Sequence, residues 1–111
     1  MSSEYFTEAD AALTRKIGIV NLHDDFPVAI LKQRFDGVYD SLRTYWLPRF
    51  RAGGVGTVVA AIFTPSVYVP EAALRHAVWS LDGLLTEIDD NRDDVDVARS
   101  TADIERINRA G

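Results

Sequence analysis

The stretch "IVNLHDDFP", residues 19–27, decides how this chain is read. Its first part belongs to "IGIVNL", a short run rich in β-branched residues, which predicts a buried β-strand. "HDDFP" then ends the strand. Pro27 disfavours helix at Phe26 and favours one just after it. Side chains alternate along a strand, so Asn21, His23 and Asp25 fall on one side and Leu22 and Asp24 on the other. If the strand ends near His23, then His23 and Asp25 sit together at its C-terminal mouth, where α/β proteins build active sites. An imidazole nitrogen and a carboxylate oxygen are both good ligands for zinc and similar divalent ions. A catalytic zinc takes three protein ligands and keeps one position open, so this pair alone is incomplete. A bare His-x-Asp is also common, and it reads equally as a polar pair in a turn.

On either side of this stretch the chain alternates between helical and extended patterns. Thr7 and Asp10 have the spacing of a capping box, so Thr7 or Ser3 caps a first helix that runs to about Lys16. "VAILKQRF" predicts one or two helical turns, stopped by Gly37. "SLRTYWLPRFRAGG" predicts a second helix with a kink or restart at Pro48. Leu42, Tyr45, Trp46 and Phe50 then face a core, and Gly53 and Gly54 form the C-terminal stop. "VGTVVAAIFTP" predicts a second strand that is apolar on both faces, as in parallel sheets covered by helices. "VPEAALRHAVWSLDGLLTEIDD" predicts the longest helix, starting at Pro70. Its apolar stripe is Leu74, Ala77, Val78, Leu81, Leu84, Leu85 and Ile88. "NRDDVDVARS" reads as a loop and "TADIERINRAG" as a last helix closed by Gly111. Two such strands joined by a helix make one βαβ unit. A two-stranded sheet of this type has two open edges and usually has further strands beside it.

Composition narrows the function classes. The chain has 111 residues, 47% of them hydrophobic, which suits a single domain or part of one. A net charge of −5 leaves no basic face to displace the counterions of a polyanion, so no nucleic-acid partner is expected. There are no cysteines, which removes disulfides, thiolate zinc sites and cysteine nucleophiles and is compatible with a cytoplasmic protein. No segment reads as a secretory signal, and the longest apolar run, "VGTVVAAIF", is too short to span a bilayer as a helix, so no membrane partner is expected.

Other motifs yield bland readings. "GGVG" at 53–56 precedes a strand, whereas a dinucleotide fingerprint follows one, so it reads as a helix stop. "DDNRDDVD" at 89–96 lacks the central glycine of a calcium loop and has Ser100 where the bidentate Glu belongs, so it reads as a solvated acidic loop. His76 reads as a surface or boundary residue, and Trp46 and Trp79 as core. Ser41, Ser66 and Ser80 lack the setting of a nucleophile elbow. Ser66 and Tyr68 follow the second strand and are candidates to line the same mouth as His23.

"IVNLHDDFP" resembles the "DGHNDLP" signature of the membrane (renal) dipeptidase family of zinc metallopeptidases. "WLPRFRAGGVGTVVAAIFTP" is similar to that family's helix, glycine pair and second strand. "ALRHAVWSLDGLLTEIDDN" resembles the helix that follows, and "ARSTADIERINRAG" the helix before the third strand. The likeness is collinear from about residue 15 to residue 111. It implies the N-terminal βαβ portion of a (β/α)8 TIM barrel with a two-metal site. By resemblance His23 and Asp25 would ligate one zinc. A bridging Glu after the third strand and two later His residues would complete the pair of ions. Water activated by the metal would then hydrolyse a dipeptide. The family has Asp where this chain has Asn21, a change that would alter hydrogen bonding around the bound water.

The resulting expectation is an α/β chain, residues 1–111, forming an incomplete single domain. It corresponds to the N-terminal segment of a zinc-dependent dipeptidase barrel and is inactive alone. The alternative is a non-catalytic remnant or interaction module that self-associates, or pairs with a partner, through its open sheet edges. A third reading is assembly with a separately encoded remainder of the barrel.

Overall fold

The computed structural model describes residues 5–111. Ser3, one of the two cap candidates, lies outside the described residues. Helix α1 (Glu8–Ile17) starts at Thr7. The Thr7 hydroxyl accepts from the Asp10 amide, and the Asp10 carboxylate accepts from the Thr7 amide at 2.8 Å, which closes the expected capping box. Gly18, at φ 71°, turns the chain out of α1 into strand β1 (Ile19–Asp24).

Helix α2 (Phe26–Phe35) follows at once, with Pro27 in its first turn. It has ten residues rather than one or two turns, because Phe26, Pro27, Ile30 and Leu31 share a buried face that tertiary packing holds. A π-helical turn (Leu42–Trp46) leads into helix α3 (Leu47–Ala52). The expected restart therefore occurs just before Pro48. That proline lacks an N–H and crowds the preceding turn, and the wider π turn accommodates it. Gly54, at φ 73°, enters strand β2 (Val55–Ala60). A 3-10 turn (Ser66–Tyr68) and a tight turn to Ala72 precede helix α4 (Ala73–Asp90), which begins three residues later than Pro70. Helix α5 (Thr101–Ala110) is capped by the Ser100 hydroxyl, which accepts from the Asp103 amide at 3.1 Å.

β1 and β2 form a two-stranded parallel sheet, so the described chain is a mixed α/β structure that is mostly helical. The core lies on one face of the sheet and comprises Phe26, Ile30, Leu42, Leu47, Leu84 and Ile88, with Trp46, Phe50 and Val58 packed against it. Phe26 is central to it, edge-on to Phe50 at 5.4 Å and tilted against Trp46 at 5.6 Å. The other face, with Val20, Leu22 and Val59, is exposed. Parallel sheets are normally covered on both faces.

Four expectations need correction. Tyr45 does not face the core with Leu42, Trp46 and Phe50 but is exposed, with the Arg49 guanidinium 3.5 Å over its ring. His76 is buried, only 4% exposed, with its ring stacked on Tyr68 at 4.4 Å. Trp79 is half-exposed and packs edge-on against Phe35 at 5.9 Å rather than in the core. The apolar stripe of α4 is only half covered. Leu84 and Ile88 are buried, but Leu74, Val78, Leu81 and Leu85 are exposed, while His76, Ser80 and Glu87 face inward. Helix α2 packs against α4, where its Arg34 crosses Gly83 and stands 3.8 Å from Glu87, while Tyr68 covers His76. A Cβ at position 83 would stand 3.0 Å from Arg34 Cδ, so a larger residue there would require the Arg34 side chain to shift by a few tenths of an ångström.

Candidate functional site

His23 and Asp25 converge at the C-terminal end of β1. His23 Nε2 stands 3.0 Å from Asp25 Oδ1, and both side chains are open to solvent, at 73% and 49% exposure. With the proton on Nε2 this is a hydrogen bond donated to the carboxylate. With the proton on Nδ1, a nitrogen lone pair and a carboxylate oxygen are presented to a common point.

A β-bulge builds this arrangement. Asn21 pairs with Val58 and Asp24 with Ala60, so β1 uses three steps where β2 uses two. The extra residue reverses the alternation expected beyond Asn21. Asp24 therefore does not point away from Asn21, because Asn21 Nδ2 donates to Asp24 Oδ2 at 2.9 Å. The Asn21 carbonyl oxygen accepts from the His23 amide at 3.1 Å. Asp24 Oδ1 accepts from the Phe26 amide at 2.9 Å, satisfying one of the free donors at the start of α2. Asn21 and Asp24 thus fix the turn, and His23 and Asp25 are the side chains left free. The pairing of His23 with Asp25 was legible from their spacing. The roles of Asn21 and Asp24 were not, because an inserted strand residue leaves no signature in "NLHDD".

The two donor atoms fit a shared divalent ion. With metal–ligand bonds of about 2.1 Å, donors at right angles stand about 3.0 Å apart, and tetrahedral donors about 3.4 Å. The observed 3.0 Å equals the right-angle value and is equally an ordinary hydrogen-bond length between imidazole and carboxylate. Among the described residues no third His, Asp or Glu joins them to make a closed metal-binding group. Tyr68, a candidate for the same mouth, is committed to the stack on His76. Ser66 opens the 3-10 turn and has no side-chain hydrogen bond among the described residues.

A groove of 640 Å³ lies elsewhere, between β2, α4 and α5. Its walls include Val58, Leu81, Leu85, Ile104 and Ile107, and neither His23 nor Asp25 lines it. It is uncovered core rather than a reaction site: its walls are mainly apolar, and the rim cations Arg51, Arg92 and Arg106 are paired with Asp94, Asp96 and Asp103. No helix among the described residues is long and apolar enough to cross a membrane. No family model, no curated protein and no solved structure matches the chain.

Proposed function

We propose that the chain is the N-terminal βαβ portion of a (β/α)8 metallohydrolase of the dipeptidase type, with His23 and Asp25 as ligands of one of its zinc ions. The observation that carries this reading is the convergence of Nε2 and Oδ1 at 3.0 Å beyond the end of a parallel strand. The bare sheet face and the unpaired outer edges of β1 and β2 support a larger barrel around it. An ion held there supplies a Lewis acid and an acidified water for attack on the dipeptide carbonyl. His23 contributes the neutral imidazole and Asp25 the charge that partly offsets the cation. Asn21 and Asp24 hold the turn so that both donors keep one orientation. Two ligands do not hold an ion at catalytic geometry, so the chain alone is expected to bind weakly and not to hydrolyse dipeptides. A cysteine-free protein of this kind suits the cytoplasm.

Zinc titration followed by the histidine ring resonances tests the reading, because the chain has only two histidines and His76 is buried. Zinc is expected to move the His23 signals and leave those of His76 in place. His23→Ala and Asp25→Ala should each weaken binding roughly tenfold or more. Zinc binding that survives both substitutions would overturn the assignment, as would His23 signals that do not respond.

A second reading is favoured by the exposed Val20, Leu22 and Val59, which lie on one bare face beside the open strand edges. In it the chain is an interaction module whose sheet is completed by a partner strand. Zinc-independent folding together with a stable, sharply melting dimer that survives Val78→Asp on α4 favours this module.

A further inference from the structure

Helix α4 carries an exposed apolar seam, whose Leu81 and Leu85 also form one wall of the open groove beside β2 and α5. Leu74, Val78, Leu81 and Leu85 are 78%, 55%, 44% and 40% exposed. Their spacing of four, three and four residues is that of alternating d and a positions in a heptad. The helix is 18 residues long, about 27 Å, which gives the seam a rigid, straight backing.

The flanks of the seam say what fits it. On one side stand Arg75 and Asp82, both exposed and neither in an ion pair among the described residues. The Arg75 guanidinium lies 5.9 Å from the Trp79 ring centre, directed along the helix towards its middle. On the other side stands Ala77, uncharged, and beyond it the helix turns into the core at Leu84. Two copies of α4 packed antiparallel, with the two-fold axis between residues 79 and 80, set Leu74 against Leu85 and Val78 against Leu81. In an antiparallel pair the same flank of each helix meets its counterpart. Arg75 of one copy then meets Asp82 of the other, twice by symmetry. A parallel pair would set the charged flank against the uncharged one and leave both ions unmatched. The charge pattern is self-complementary in one orientation only.

We propose that α4 is a homodimerisation surface, pairing antiparallel with a second copy of this chain through Leu74, Val78, Leu81 and Leu85, with Arg75–Asp82 ion pairs setting the orientation. The proposal does not rest on the ion site, and His23→Ala should leave it unchanged.

Sedimentation of the full chain over a range of concentrations is the test, with circular dichroism to establish that each variant folds. A reversible dimer is expected. Val78→Asp should abolish it, and Arg75→Asp should weaken it about tenfold. The exchange Arg75→Asp with Asp82→Arg in one chain should restore it. Because the chain has no cysteine, an equimolar mixture of Val78→Cys and Leu81→Cys chains gives a clean orientation readout. The mixed disulfide should predominate. Overturning results are a folded monomer at all concentrations, a dimer indifferent to Val78→Asp or Arg75→Asp, or crosslinks only between like positions. Finding the seam covered by another segment in a longer natural product would overturn it too.

Discussion

The carboxylate of Glu87 is fully buried on α4, between the start of the π-helical turn and Arg34 of α2. Its Oε1 accepts from the Leu42 amide at 3.0 Å, at the start of the π-helical turn. Its Oε2 has no hydrogen-bond partner and lies 3.8 Å from Arg34. Burial pushes the Glu87 carboxyl above the usual carboxylate range. The Leu42 amide, Arg34 and the Ser41 backbone pull the other way, and Asp40 adds to the rise. A carboxyl that is raised in the folded state holds its proton more tightly there than in the unfolded chain. Its contribution is therefore fully present below the ordinary glutamate value of about 4.3 and is lost as pH rises through the raised value. Glu87→Gln keeps an acceptor for Leu42 and removes the titration. The stability of the native protein relative to Glu87→Gln should fall as pH climbs from about 4 towards neutrality. Urea midpoints of the two proteins across that range check this, and a constant difference would contradict it. Asp10 and Asp103 are lowered by their hydrogen bonds to Thr7 and to the Arg99 amide. They act in the opposite direction in both proteins, so the comparison cancels them.

Among the elements, the junctions carry the most information. The bulge in β1 turns an alternating strand into a device that frees His23 and Asp25 while spending Asn21 and Asp24 on the turn. Entry into β2 depends on Gly54. Its φ of 73° favours glycine, and a Cβ there would stand 2.5 Å from Thr14 Oγ1 and 2.6 Å from the Thr14 carbonyl carbon. The Gly54 carbonyl also accepts from the Ile19 amide at 2.9 Å, so α1, β1 and β2 meet at this residue. Gly54→Ala should destabilise the fold by about 2 kcal/mol or more, since both strain and a backbone clash oppose it. Thermal unfolding would register this, and a neutral result would mean that α1 moves away from the sheet with little loss.

For the whole molecule, the core is one-sided. Ile30 has no exposed surface and sits where α2 meets Leu42, Leu84 and Ile88. Ile30→Ala should cost about 2–5 kcal/mol, through lost burial and a cavity. A chain of this size has a total stability of only about 5–15 kcal/mol, so the variant should be largely molten at moderate temperature. Retained near-ultraviolet dichroism and a sharp melt would contradict that expectation. The apolar side chains left outside, on β1, β2 and α4, form faces rather than scattered points. Such faces mark surfaces that another body covers, and the antiparallel pairing of α4 accounts for one of them.

The sequence by itself determined the capping box at Thr7 and Asp10, both strands, the order of the helices and the meeting of His23 with Asp25. These depend on local chemistry: side-chain caps, β-branching, glycine and proline punctuation, and a spacing of two. Only the tertiary structure decided which half of α4 faces inward. Leu74, Ala77, Val78, Leu81, Leu84, Leu85 and Ile88 form one stripe by periodicity, yet the buried side of the helix runs through His76, Ser80, Gly83, Leu84, Glu87 and Ile88. It also decided that Asp24 turns back to Asn21, because a bulge is a property of two paired strands and not of either alone. Periodicity reports which side of a helix or strand is apolar. Which part of that side is buried depends on what else packs against it.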